Sequence, residues 1–172
     1  MSFVLTATPK KSDRGVLEAA DFQTICAFGR GGLTNDKKEG DGATPIGRFG
    51  LRSCYWRPDR VARPVTGLPV LPIRRFDGWC DDPGHPLYNR PVRLPFPASH
   101  ERMWREDAAY DLVVVLDQNL DRPEPGAGSA VFFHLTKSAD PTPTEGCVAI
   151  AEPAMRRLLR LCDTKSVLEI RA

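Results

Sequence analysis

Histidine is scarce in this chain: three among 172 residues, at positions 85, 100 and 134. No two of them stand at HxxxH spacing, and the five cysteines include no CxxC, so the tight ligand pairs that build zinc sites are missing. No metal and no cofactor is therefore expected. Basic residues form no block. The 24 Lys and Arg interleave with 22 Asp and Glu to a net charge of +2, which leaves no electrostatic footprint for a nucleic acid. No stretch approaches the roughly 20 apolar residues of a membrane-spanning helix, so no membrane partner is expected either. The opening residues "MSFVLTATPKKSDRG" carry no basic leader, and their apolar run ends by Pro9. Together with an odd cysteine count, this predicts a reducing, cytoplasmic setting, with export requiring a processed chain.

What the chain does have is the balance of a soluble globular protein, 41% hydrophobic and 27% charged, at a length suited to one domain over 1–172. Its prolines concentrate in residues 58–97 and 121–143. Because proline removes a backbone donor, these stretches read as ordered loops and edge strands, and a long loop of this kind in a compact domain more often serves function. Short β-branched runs punctuated by glycine, "SFVLTA", "GVLEAA", "FQTICAFG" and "GRFGLRSCYW", read as strands. "LPVLPIRRF" is a candidate edge strand, while "YDLVVVLDQN" and "GSAVFFHL" hold the continuous apolar runs of strands buried on both faces. In "AEPAMRRLLRLC", Pro153 suits a first helical turn, and Met155, Leu158, Leu159 and Cys162 recur at helical spacing. "SHERMWRED" reads as a short helix opened by Ser99 and carrying His100, and "KSVLEIRA" closes the chain as a strand. The expectation is a mainly β fold, a sandwich or barrel with one packed C-terminal helix and long Pro-rich loops.

The segment "PTPTEGCVAI" holds Cys147 after a glycine and before an apolar run, with His134 thirteen residues upstream in "VFFHLTKSAD". A free thiol titrates near ~8.5, so a nucleophilic cysteine needs a base in reach, a group orienting that base, and backbone donors for an oxyanion. His134 stands at the end of one strand and Cys147 at the start of the next. The intervening loop can bring those strand ends side by side, and Gly146 lets the backbone approach a substrate. The same features also describe a buried strand-end cysteine and a turn histidine, and local spacing alone leaves both open.

"TEGCV" resembles the nucleophile motif of the L,D-transpeptidase (YkuD-type) family, Ser/Thr-x-Gly-Cys followed by an apolar residue, with a histidine closing the preceding strand. A second family hallmark lies a hundred residues upstream in "KKEGDGATPIGRFGLR", where Gly40, Asp41, Gly42, Thr44, Pro45, Gly47 and Phe49 match. The resemblance implies a β-sandwich or barrel enzyme acting on peptidoglycan stem peptides or muropeptides. By position, Cys147 would be the acylated nucleophile and His134 its base. The Leu135 carbonyl would orient the imidazole, and N–H groups around Glu145, Gly146 and Cys147 would hold the oxyanion. Thr144 and Glu145 are candidate substrate contacts beside it. The implied reaction opens the bond between the L-centre of meso-diaminopimelate and D-alanine, forming a thioester. An amine acceptor then gives transpeptidation, and water gives L,D-carboxypeptidase cleavage. Ala149 stands where many exported members carry Arg or Asn, and Glu145 where His or Arg is common. Both departures favour water as acceptor and a role in muropeptide recycling. The rival reading is a non-catalytic module that binds peptidoglycan fragments.

Residues 76–92, "FDGWCDDPGHPLYNRPV", gather Trp79, Asp82, His85, Tyr88, Asn89 and Arg90 in one segment. They read equally as a substrate wall or as a loop pinned by its own aromatic residues and hydrogen bonds. Cys80 with His85 is a weaker alternative nucleophile pair. Lys137 is a candidate for a substrate carboxylate, against a solvated loop lysine. Asp41, between two glycines, reads as a turn former. Cys26, Cys54 and Cys162 read as core.

Overall fold

The computed structural model describes residues 3–138 and 141–172. The chain opens with an antiparallel meander, β1 (Val4–Lys11), β2 (Arg14–Ala19) and β3 (Phe22–Ala27). A two-stranded ladder follows, β4 (Leu33–Thr34) and β5 (Thr44–Pro45), and then the long β6 (Gly47–Trp56). β7 (Val70–Pro72) pairs parallel to the far half of β6. After β8 (Asp77–Cys80), β9 (Pro91–Arg93) and β10 (His100–Arg102) come β11 (Leu112–Leu116), β12 (Phe132–Leu135), β13 (Val148–Ile150), helix α1 (Glu152–Leu159) and β14 (Val167–Ile170).

The main sheet runs β11-β12-β13-β3-β2-β1-β14-β6-β7, and β6 also pairs with β11. That extra pairing closes the sheet into a barrel, because β6 is long enough to give its first half to β14 and its second to β11. Closure pairs β11 on both sides and leaves the three-residue β7 as the edge strand of this sheet. Alternation along the strands sorts the side chains. Leu112, Val114, Phe133, Leu135, Val148 and Ile150 join the main core inside, while Val113, Val115, Phe132 and Cys147 face outward.

The outward face is not bare. A small sheet in the order β10-β8-β9 folds over it, bringing Trp79 and Met103 onto Val113, Val115 and Phe132. Trp79 meets Phe132 edge-on with ring centroids 5.1 Å apart, a favoured aromatic geometry. This small sheet accounts for much of the proline-rich segment. It also corrects one expectation: "SHERMWRED" is no helix, because His100–Arg102 pair in register with Gly78–Cys80. Tertiary strand pairing outweighs a capping serine and modest local propensity. The His100 ring engages the Ala98 carbonyl at 2.8 Å and stacks edge-on against Phe96.

Helix α1 begins as expected with Pro153 in its first turn, and its exposed side is tied by the Glu152–Arg156 pair at 2.8 Å. It ends at Leu159, short of the expected Cys162, whose thiol is nonetheless buried. Ala154, Met155, Leu158 and Leu159 pack into the barrel core. Met155→Ala should therefore cost about 2–5 kcal/mol, read as a lowered denaturation midpoint with an unchanged slope.

Candidate active site

The chain brings Cys147 and His134 together through a parallel pairing of β12 and β13. β12 and β13 run side by side with Phe133 opposite Val148, His134 opposite Ala149 and Leu135 opposite Ile150. His134 and Cys147 lie on the same outward face, two register positions apart, with Ala149 opposite the histidine. Both line one cavity of about 390 Å³, roofed by the loop that carries Arg105, Ala109 and Tyr110. Cys147 is 8% exposed and His134 7%.

The histidine is oriented as the motif implies. His134 Nδ1 lies 2.8 Å from the Leu135 carbonyl oxygen, so Nδ1 carries the proton and Nε2 keeps its lone pair. The Leu135 N–H is itself fixed by the Ala109 carbonyl at 3.0 Å, and the Tyr110 ring stands edge-on 5.3 Å from the imidazole. Burial pushes the His134 pKa down to about 4, so the imidazole is neutral at pH 7.

The thiol is held by the backbone rather than by the imidazole. Cys147 Sγ accepts from the Phe132 N–H and donates to the Ala130 carbonyl, each at 3.3 Å. Ala130 adopts φ of 50°, a left-handed bend just before β12. Burial, followed by the nearby Glu101 carboxylate, raises the Cys147 pKa to about 12. The resting pair is thus thiol and neutral imidazole, not thiolate and imidazolium. Such contacts commonly tighten only when substrate binds.

The two motifs of the sequence meet at one carbonyl. Thr144 Oγ1 donates to the Cys147 oxygen at 2.7 Å, and Thr44 Oγ1 donates to the same oxygen at 3.2 Å from 103 residues away. Thr44 also accepts the Gly29 N–H at 2.7 Å. Thr144, expected as a substrate contact, serves as an anchor, although it also reaches the cavity wall. Its hydroxyl accepts the Gly146 N–H at 3.1 Å, so that expected oxyanion donor is already spent. Gly146 itself has φ of 131°, open to glycine alone at little cost. Asp41 shapes its turn as expected, accepting from the Lys38 and Ala43 N–H groups at 2.8 Å each.

The polar groups of segment 76–92 are bonded within the fold. Trp79 Nε1 donates to Asn89 Oδ1 at 2.8 Å, and the Ala130 N–H donates to the same oxygen at 3.0 Å. Tyr88 OH donates to Glu39, and the Arg90 guanidinium donates to the Leu120 and Asp121 carbonyls. Asp82 caps the Gly84 N–H at 2.9 Å, and His85 accepts the Leu87 N–H at 3.0 Å while stacking on Phe96. None of these six lines the cavity around Cys147; Asp81 is the member of that segment that does. Cys80 is fully buried in β8, apart from His85 on its surface loop. Glu145 pairs with Arg30 at 2.8 Å, both largely exposed.

Three wall residues carried no signal in the sequence: Glu101, Arg105 and Lys37. Arg105 grips Asp107 through two nitrogens at 2.7 and 2.8 Å, which holds that carboxyl far below its usual range, and Lys137 joins Asp107 at 3.1 Å. Burial raises the Glu101 pKa despite its hydrogen bond from Tyr110.

A barrel wall carrying a thiol and a carbonyl-oriented imidazole in one cavity has the parts of a cysteine acyl-transfer site. The YkuD family model, the L,D-transpeptidase catalytic domain, matches residues 11–170, and the chain belongs to that family. The family acts on peptidoglycan. Among solved structures, the chain is similar to Mycobacterium tuberculosis L,D-transpeptidase 1 at 13% identity and a TM-score of 0.42. That match covers 98% of this chain and 61% of the other, so the chain spans about three fifths of that protein's length. No curated protein sequence matches it.

Thr44→Val keeps the shape but strands the buried Gly29 N–H and frees one side of the Cys147 carbonyl. It should lower stability by about 1–3 kcal/mol, measured by urea unfolding.

Proposed function

We propose that this chain is a cysteine-dependent enzyme of the L,D-transpeptidase type that cleaves the meso-diaminopimelate–D-alanine bond of peptidoglycan tetrapeptide stems. The observation that carries the reading is the His134 Nδ1 contact to the Leu135 carbonyl, with His134 and Cys147 lining one cavity. Cys147 Sγ attacks the scissile carbonyl while His134 Nε2 takes its proton. The tetrahedral adduct collapses to a thioester, and His134 returns the proton to the departing amine of D-alanine. Water then resolves the thioester in an L,D-carboxypeptidase cycle suited to muropeptide recycling, and an amine in its place gives transpeptidation. The small Ala149 beside the pair supports the hydrolytic outcome, since it leaves room and offers no polar side chain to an acceptor.

Cys147→Ala should abolish D-alanine release from a diaminopimelate tetrapeptide and leave the melting curve in place; turnover in that variant would sink the assignment. Mass spectrometry of the wild-type reaction, with and without an added amine, reads the acceptor as tripeptide, exchanged product or dimer. Because burial holds His134 near a pKa of about 4, the imidazole is a competent base well below pH 6.5. The acid limb of kcat/KM should fall with a midpoint near 4 rather than at the ordinary 6.5. One observation favours the binding-module rival: the Cys147 thiol is buried and pushed up to about 12. Intact-mass labelling by a thiol-reactive carbapenem separates the two, since a pure binder takes no acyl group.

A further inference from the structure

Two facts about the nucleophile loop leave a gap. The Gly146 N–H is taken by Thr144, so the loop offers fewer backbone donors to an oxyanion than its motif implies. The Cys147 N–H has no acceptor among the described residues and is free to serve as one donor. An oxyanion hole needs a second, aimed at the same oxygen.

Lys37 stands at that place. Its side chain is 9% exposed and runs between two glycines with positive φ, Gly128 at 93° and Gly146 at 131°. A Cβ at Gly128 would meet Lys37 Cγ at 2.9 Å and Cε at 3.1 Å, so the stem occupies the room that this glycine leaves. A Cβ at Gly146 would lie 3.4 Å from Lys37 Nζ, which puts the ammonium within roughly 5 Å of the Gly146 Cα. The Cys147 N–H lies two bonds beyond that Cα, which places it within roughly 7.5 Å of the ammonium. Two donors sharing one oxygen at about 2.9 Å each can stand up to about 5.8 Å apart, a separation inside that bound.

The ammonium is also held in place. Lys37 Nζ pairs with the Asp41 carboxylate and donates to the Lys38 carbonyl at 3.0 Å. Lysine has three donors. The third has no acceptor among the described residues, and Lys37 lines the cavity with Cys147.

We infer that Lys37 is a catalytic residue of this site, donating with the Cys147 N–H to the oxyanion that forms on the attacked carbonyl. The inference rests on Cys147 being the acylated nucleophile. In the step concerned, Sγ forms a bond to the carbonyl carbon and the π pair moves onto oxygen, where Lys37 and the Cys147 N–H stabilise it. The pair then returns, the C–N bond breaks, and the nitrogen takes the proton held by His134. Lys37 keeps its protons throughout.

The test compares wild type, Lys37→Met, and the double variant Lys37→Met/Asp41→Asn, which removes both charges so that no carboxylate is left unpaired. Circular dichroism and melting verify folding of each. Acylation of Cys147 by a carbapenem is followed by intact mass, and alkylation of the same thiol by iodoacetamide, which forms no oxyanion, is followed by peptide mapping. Both variants should acylate about 100-fold more slowly at saturation, with half-saturation little changed and alkylation within a few fold of wild type. A folded double variant that acylates about as fast as wild type overturns the inference. A loss confined to half-saturation overturns it too, since that is the mark of a carboxylate-binding lysine. A wild-type protein that alkylates but takes no carbapenem removes the nucleophile reading itself, which keeps the two failures distinct.

Discussion

The carbonyl oxygen of Cys147 accepts two threonine hydroxyls, and the site is built around that grip. Thr44 arrives from the ladder before β6 and Thr144 from the loop before β13. Each hydroxyl also accepts a backbone N–H, Gly29 for one and Gly146 for the other, so neither is free to turn away. The Thr144 backbone adds two more ties, donating to the Phe28 carbonyl and accepting from the Arg30 N–H. Through these bonds the loop before β13 becomes an extension of the barrel beside β3. Cys147 therefore stands just ahead of β13 at a place fixed by the sheet rather than at the tip of a loose loop.

This grip also explains why two short stretches a hundred residues apart were readable together. "GDGATP" and "TEGCV" meet at one atom, and each needs glycine and threonine for that meeting. The strong strands and the helix were equally legible, because apolar runs such as Leu112–Leu116 and the spacing of Met155, Leu158 and Leu159 report burial directly. The small sheet over the site was not. β8, β9 and β10 are three or four residues long, and their pairing depends on chain reversal through prolines rather than on any local period. Lys37 was hidden for a related reason. Its spacing from Asp41 suits a local ion pair, but nothing along the chain says that glycines at 128 and 146 open a path for its stem.

The polar density of residues 76–92 teaches a different lesson. Composition reported that the segment was rich in hydrogen-bonding groups but not where their partners lay. Trp79, Tyr88, Asn89 and Arg90 spend their donors within the fold. Their effect on the site is indirect and still traceable. Asn89 Oδ1 receives both Trp79 Nε1 and the Ala130 N–H, and the Ala130 carbonyl receives the Cys147 thiol. Asn89 adopts φ of 55° and Ala130 φ of 50°, two left-handed residues on one chain of contacts to Cys147. Backbone strain of that kind persists where the surroundings over-determine it, as here, on the wall behind the thiol.

Charge around the cavity is closely matched. Lys37 faces Asp41, Arg105 faces Asp107 and Glu101, and Lys137 faces Asp107. Lys37 and Arg105 favour a thiolate, but desolvation and the Glu101 carboxylate outweigh them and push the Cys147 thiol up to about 12. The same desolvation lowers His134 to about 4, so an imidazolium is equally unwelcome. Creating both ions at rest would incur two desolvation costs at once. In the proposed reaction, proton transfer from Cys147 to His134 therefore belongs with carbon–sulfur bond formation, when the negative charge passes from sulfur to the carbonyl oxygen. A neutral resting pair also leaves the thiol, fastened between Phe132 N–H and Ala130 O, protected from reaction until a carbonyl is bound in place.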